Sequence, residues 1–96
     1  MPTFAWLARV GADFDALLAD QQAVFLSAVA QFVADLKAGS FRSSLRVKAV
    51  KGAAGIFEMT WAHDGRATFE YGSEITPGET HIIWRRVGTH DVFRTP

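Results

Sequence analysis

Hydrophobic residues recur at helical spacing through "DQQAVFLSAVAQFVADLKAG". Val24, Phe25, Ala28, Val29, Phe32, Val33 and Leu36 fall on one side, with Gln21, Gln22, Ser27, Gln31 and Asp35 mostly opposite. That period predicts an amphipathic helix over about 20–38. Asp20 is placed to cap its N-terminus, Lys37 suits the negative end of the dipole, and Gly39 suits the left-handed residue after a last turn. Upstream, Phe4, Leu7, Phe14, Leu17 and Leu18 predict a shorter helix over about 3–18, whole or broken near Gly11.

After Gly39 the period becomes two. Leu45, Val47 and Ala49 alternate with Arg46 and Lys48; Phe57, Met59 and Trp61 with Glu58 and Thr60; Ala67, Phe69 and Tyr71 with Arg66, Thr68 and Glu70. With "THIIWRRVG" these predict four strands, at about 44–50, 56–62, 66–72 and 80–87, separated by the turn signals "KGAAG", "HDG" and "SEITPGE". A three-residue loop of His63, Asp64 and Gly65, with Gly65 left-handed, would pair Trp61 with Ala67, Met59 with Phe69 and Phe57 with Tyr71. It would also set Glu58 opposite Glu70, which asks for a cation nearby, such as an arginine of the fourth strand. The expected architecture is a single α+β domain, two N-terminal helices packed on one face of an antiparallel sheet of about four strands. The other face would carry Arg46, Lys48, Glu58, Thr60, Arg66, Thr68 and Glu70, and any site would lie there.

Composition narrows the chemistry. With 96 residues there is room for one core and one site. The chain has no cysteine, which excludes disulfides and thiolate metal sites, and no His-x-x-x-His spacing, so no metal or other cofactor is expected. Arg9 and Asp13 interrupt the apolar start, so a cytoplasmic protein without a membrane association is expected. Net charge is zero, which removes any long-range attraction of the whole molecule for nucleic acid. Locally the balance differs: two cations face four acids through Gly39, and eight face six beyond it. The stretch "SFRSSLRVKAVKG" carries Arg42, Arg46, Lys48 and Lys51 with no acid.

Two helices, then "LRVKAVKG", "GIFEMTW", "RATFEY" and a last strand running into "RRVGTHDVF", resemble the RelE/ParE superfamily of bacterial toxin-antitoxin toxins over about 13–93, and most of all its YafQ branch. The resemblance implies a small metal-independent endoribonuclease, an mRNA interferase, that cleaves messenger RNA at or near the ribosome and is neutralised by a cognate antitoxin protein. RNA cleavage of that kind activates the ribose 2′-hydroxyl. It needs a base, an acid for the leaving oxygen, and cations for the charge on the phosphate. By the resemblance His90 is the general acid or base and Arg66 holds the scissile phosphate. The residue types alone equally allow a capping histidine in a Gly-Thr-His-Asp corner and a solvated arginine after a tight turn.

Arg85 and Arg86 are neighbours on a strand and should point to opposite faces. Strand parity favours Arg85 for the site and the resemblance favours Arg86, unless a bulge intervenes. Lys48, Lys51 and Arg46 are candidates for RNA phosphates, or else a charged strand edge. Phe93 either stacks on a base or folds back on the core. Glu58 is a further candidate base, or an ion-paired surface acid; His63, a turn residue, and His81, at the strand entry, rank lower. Two other readings remain: a non-catalytic module on the same fold, such as a gyrase inhibitor or inactive homologue, and a small domain whose polar face binds a protein partner.

Overall fold

The computed structural model describes residues 2–96. The chain runs β1 (Thr3–Trp6), α1 (Ala8–Asp15), α2 (Ala19–Ala38), a 3-10 turn (Ser43–Leu45), β2 (Lys48–Ala49), β3 (Phe57–Thr60), β4 (Arg66–Gly72), β5 (His81–Gly88) and a second 3-10 segment (His90–Arg94). The strands form one five-stranded sheet in the order β1-β5-β4-β3-β2. β1 is parallel to β5 and every other pairing is antiparallel. The architecture is therefore α+β as expected, with a mixed sheet of five strands in place of four antiparallel ones.

The additional strand comes from residues assigned by their spacing to the first helix. Thr3–Trp6 pairs with His81–Trp84, and the ladder continues as Leu7 N–H donates to Trp84 O at 3.0 Å. Trp6 stacks on Trp84 with ring centroids 6.2 Å apart. Because β1 and β2 are opposite edges of the sheet, the helical segment between them must cross it. Aromatic packing fixes that crossing. Phe32 of α2, with no exposed surface, lies 4.9 Å from Phe41, 5.0 Å from Phe69 of β4 and 5.0 Å from Trp84 of β5. About two turns earlier, Phe25 meets Trp61 edge-on at 5.7 Å.

The helix keeps its expected span, Gly39 takes φ 91°, and Lys37 sits in the last turn. Two details differ. Leu18 occupies the N-cap, where its N–H donates to Gln21 Oε1 at 2.8 Å, and Asp20 lies inside the first turn. Asp35, assigned to the solvent side, is buried and accepts from Arg42 N, Nε and Nη2 at 2.8–2.9 Å. That ion pair holds the Asp35 carboxyl below its usual range and ties the end of α2 to the following loop.

The alternation over 44–50 does not make a full strand. Ser43–Leu45 is a 3-10 turn that buries Leu45, Arg46 has φ 47°, and only Lys48–Ala49 joins the sheet. The β3–β4 register is shifted by two residues from expectation: Phe57 pairs with Phe69, Met59 with Ala67 and Glu58 with Thr68. Parity survives because the shift is even, so the same residues face the core. Glu58 does not oppose Glu70. Instead Lys48 lies 3.8 Å from Glu58 and Arg85 lies 3.1 Å from Glu70, the latter being the fourth-strand arginine expected there.

The hairpin loop is Ala62–His63–Asp64, closed by Trp61 N–H to Gly65 O at 3.1 Å and Gly65 N–H to Ala62 O at 3.0 Å. Gly65 is outside the left-handed region. Glycine is required for a different reason: a Cβ there would lie 2.6 Å from the Trp61 ring. The second face of the sheet is not an open polar surface either. An added Cβ on Gly88, opposite Arg66, would meet Val92 at 3.1 Å, so the C-terminal 3-10 segment covers that face, and Thr68, Glu58 and Val92 are buried.

Crowding against Trp61 makes a specific prediction. Gly65→Ala should destabilise the fold by about 1–3 kcal/mol through overpacking. Gly65→Asn should be at least as harmful, whereas a left-handed Gly65 would tolerate asparagine better than alanine. Thermal denaturation of both variants distinguishes the two explanations.

Candidate functional site

The end of β5 is built around one irregularity. Phe69 pairs with Trp84 and Thr68 with Arg86, leaving Arg85 unpaired as a bulge. Alternation stops there, so the expectation that Arg85 and Arg86 point to opposite faces fails. Both side chains instead reach the last residues of the chain. Arg85 Nε donates to Pro96 O at 3.2 Å, and Arg86 Nη1 donates to Thr95 Oγ1 at 2.6 Å. Each is also matched to a carboxylate, Arg85 to Glu70 and Arg86 to Asp13 of α1 at 2.7 Å. Asp13 raises the Arg86 guanidinium above its ordinary pKa. Neither arginine lines a cleft of the described residues large enough for a ligand.

Past the bulge, Gly88 lies opposite Arg66, the first residue of β4. The chain then turns into the 3-10 segment, where Thr89 Oγ1 accepts from Asp91 N–H at 3.3 Å. This brings His90 to the tip of the β3–β4 hairpin, where its Nδ1 bonds Asp64 Oδ1. The bond holds the Asp64 carboxyl below the usual carboxylate range, with a smaller contribution from the charge on Arg66. Phe93 is half-buried with its ring edge-on to His90, centroids 5.8 Å apart, so it props the imidazole. Binding of Asp64 to Nδ1 leaves Nε2 as the ring nitrogen available to a ligand.

Arg66 lies beside this pair. Its Nη1 donates to the carbonyls of Gly65 at 2.9 Å and of Ala62 and His63 at 3.3 Å, so part of the guanidinium staples the hairpin tip. It is in no ion pair among the described residues. A cleft of about 420 Å3 runs along the His90 side of the tip, lined by Leu17, Gln21, His63, Asp64, Gly88 and Thr89. Another, of about 370 Å3, lies on the α2 side and is lined by Gln31, Arg46, Trp61, His63 and Arg66 among others.

The structure thus brings together His90, Arg66 and Phe93 from the candidates, with the lower-ranked His63, and adds Asp64. Glu58 is buried beside Lys48 and lines neither cleft. Lys48 and Lys51 are exposed at the far end of the sheet, and Arg46 faces the α2 side of the hairpin, not the second sheet face. His81 is structural: it is buried, with Nδ1 2.7 Å from Thr3 Oγ1, and joins β1 to β5. Among the described residues no cluster of His, Asp and Glu has the makings of a metal site, and no helix is long and apolar enough to cross a membrane. Asp64 gave one signal in the sequence, its neighbourhood to His63 in a turn, but its partner stands 26 positions away.

No protein-family model matches the chain, and no curated protein matches it in sequence. In structure it is similar to the YoeB/ParE toxin from Agrobacterium tumefaciens, with TM-score 0.68 and 13% identity over 92% of this chain and 98% of that one. A chain of the E. coli DinJ-YafQ toxin-antitoxin complex gives TM-score 0.65 at 13% identity, with 95% and 94% covered. One from the RelB-RelE antitoxin-toxin complex of Methanococcus jannaschii gives 0.61 at 16%, with 96% and 99% covered. At such identities the likeness is one of fold.

The His90–Asp64 bond predicts a pH signature. A depressed carboxyl pKa means the interaction is fully present above the ordinary aspartate value of about 3.9 and is lost as pH falls through the lower value in the folded protein. In His90→Ala the Asp64 midpoint should rise toward the ordinary value. Carbon-detected NMR titration of the Asp64 carboxyl measures this directly, and an unmoved midpoint would show that the bond does not set it.

Proposed function

This chain has the fold of the RelE/ParE toxins, and we propose that it is the toxin of a toxin-antitoxin pair, an endoribonuclease that cleaves messenger RNA without a metal. One observation carries the reading. A histidine is oriented by a carboxylate, Asp64, that lines one cleft, and beside it Arg66, in no ion pair among the described residues, lines the cleft on the other side of the tip. Those are the parts that transesterification at a phosphodiester needs.

In this reading the ribose 2′-hydroxyl attacks the adjacent phosphorus and the 5′-oxygen leaves, giving a cyclic phosphate. His90 exchanges a proton through Nε2 while Asp64 holds the ring at Nδ1. Arg66 places positive charge against the phosphate as its equatorial oxygens gain charge. His63, which lines the clefts on both sides of the tip, is placed to exchange the second proton. Phe93 acts by supporting His90. Arg85 and Arg86 fasten the C-terminal tail and so position His90 without touching the substrate. The partner of such a protein is a cognate antitoxin, and its setting the ribosome in the cytoplasm.

The experiment is induced expression of wild type, His90→Gln and His90→Ala, with growth and messenger RNA 5′ ends followed together. Wild type should arrest growth and create new ends, including after chelation in extracts. Both variants should lose cleavage by about 10²-fold or more, the usual scale of general acid–base catalysis. New ends at wild-type frequency in either variant would remove His90 from the chemistry. Growth arrest with intact messages would place the target outside RNA, as in a non-catalytic member of the fold.

A further inference from the structure

The cleft on the α2 side of the hairpin tip has a composition that the fold does not explain. Arg46 is the sole non-glycine residue with positive φ among the described ones, at 47°. A left-handed residue costs about 1 kcal/mol, and glycine or asparagine would relieve it. Nothing in the packing asks for a long cation there, since Arg46 is exposed and the turn closes through its backbone N–H to Ser43 O at 3.1 Å.

Charge pairing points the same way. Arg42, Arg85, Arg86 and Arg94 each lie within ion-pair distance of a carboxylate, and so does Lys48. Arg46 and Arg66 lie in no ion pair among the described residues, and both line the same cleft. With them are Gln31, Ser44, Trp61 and His63, and no carboxylate lines it at all. Two unmatched guanidinium groups with amide, hydroxyl and imidazole donors are complementary to an anion.

The size suggests which anion. About 370 Å3 falls at the small-ligand end of binding cavities, more space than a bare phosphate fills. Trp61, Ala62 and His63 wall both this cleft and the one on the His90 side, so the two adjoin across the hairpin tip. A phosphodiester chain drawn over the tip would meet them in succession.

We propose that the Arg46–Arg66 cleft is a nucleotide subsite, which takes the phosphate and base next to the phosphodiester presented to His90 on a single-stranded RNA. The inference rests on the nuclease reading for the identity of the polymer, and stands on its own for the anion. Arg46 contributes only through this subsite, while Arg66 lines it from a position opposite Gly88, a residue of the other cleft. The subsite makes binding depend on a nucleotide beyond the cleaved bond.

Binding separates it from catalysis. In a His90→Ala background, a dye-labelled single-stranded hexaribonucleotide is titrated against protein at several salt concentrations, with fluorescence anisotropy as the readout. Arg46→Gly suits the left-handed backbone, so the fold is preserved. It should weaken Kd by about 10-fold, as loss of a charge-assisted hydrogen bond does, and lower the slope of log Kd against log salt by about one. Lys37→Ala, at the end of α2 and outside both clefts, should change neither.

Unaltered affinity and slope in Arg46→Gly overturn the subsite, even if wild type cleaves RNA. An Arg46-dependent complex that wild type fails to cleave leaves the subsite standing and overturns the nuclease reading. If Arg46→Gly spares RNA binding and weakens capture of a co-expressed acidic partner protein, the cleft is a protein contact and the proposal fails.

Discussion

One unpaired residue sets the geometry of the working end. Were β5 regular beyond Trp84, Arg86 would fall opposite Ala67, in the core, and Val87 would point outward. The bulge at Arg85 restores Val87 to the interior and places Gly88 against Arg66. Only from that register does the chain reach the hairpin tip two residues later. The bulge is held from three sides: Arg9 Nε donates to Arg85 O at 3.2 Å, Asp13 accepts from Val87 N–H at 3.1 Å, and the Arg85 side chain grips Glu70 and Pro96. Helix α1 and the C-terminal residues therefore act as one clamp on a strand that would otherwise slip.

The hairpin tip is fixed independently. Trp61 lies over Gly65, packs edge-on against Phe25 of α2, and leaves Ala62–Asp64 as a short loop stapled by Arg66. A loop without such support would be mobile, and a histidine–carboxylate pair spanning it would have no defined geometry. Here the aromatic core reaches up to the base of the loop. The same contacts that hold α2 across the sheet thereby hold Asp64 where β5 delivers His90.

Legibility in the sequence followed how cleanly each element's period stood apart from its neighbours. Helix α2 declared itself because a 20-residue element repeats its period several times. β4 was legible at its full extent, whereas Phe4 of β1 shares a helix-like spacing with Leu7 and Phe14, which masked the strand. The alternation from Leu45 to Ala49 was real but had another cause: Leu45 is buried by a 3-10 turn and Arg46 bends the backbone before β2 starts. Parity was right for the β3–β4 hairpin and register was not, because Asp-Gly is a turn signal with more than one geometry and the glycine answers to Trp61. The bulge was visible only as the open disagreement over which of two adjacent arginines faces the site. The His90–Asp64 pair could not be seen, since it joins positions 26 apart through that bulge.

Zero net charge and a cationic site are compatible because the chain distributes its pairing unevenly. Asp13, Asp35, Glu58 and Glu70 are each matched to a specific cation, and those pairs serve the bulge, the end of α2 and the sheet edge. Of the cations in no ion pair among the described residues, Arg46 and Arg66 share the cleft at the hairpin tip. A neutral molecule exerts little pull beyond a Debye length of about 8 Å at physiological salt. Under the proposed function, a polyanion would be recognised at contact range, by geometry at Arg46, Arg66 and His90, and not drawn in by a broad field. Such a site discriminates through its shape more than a uniformly basic face does, and gives up speed of encounter to do so.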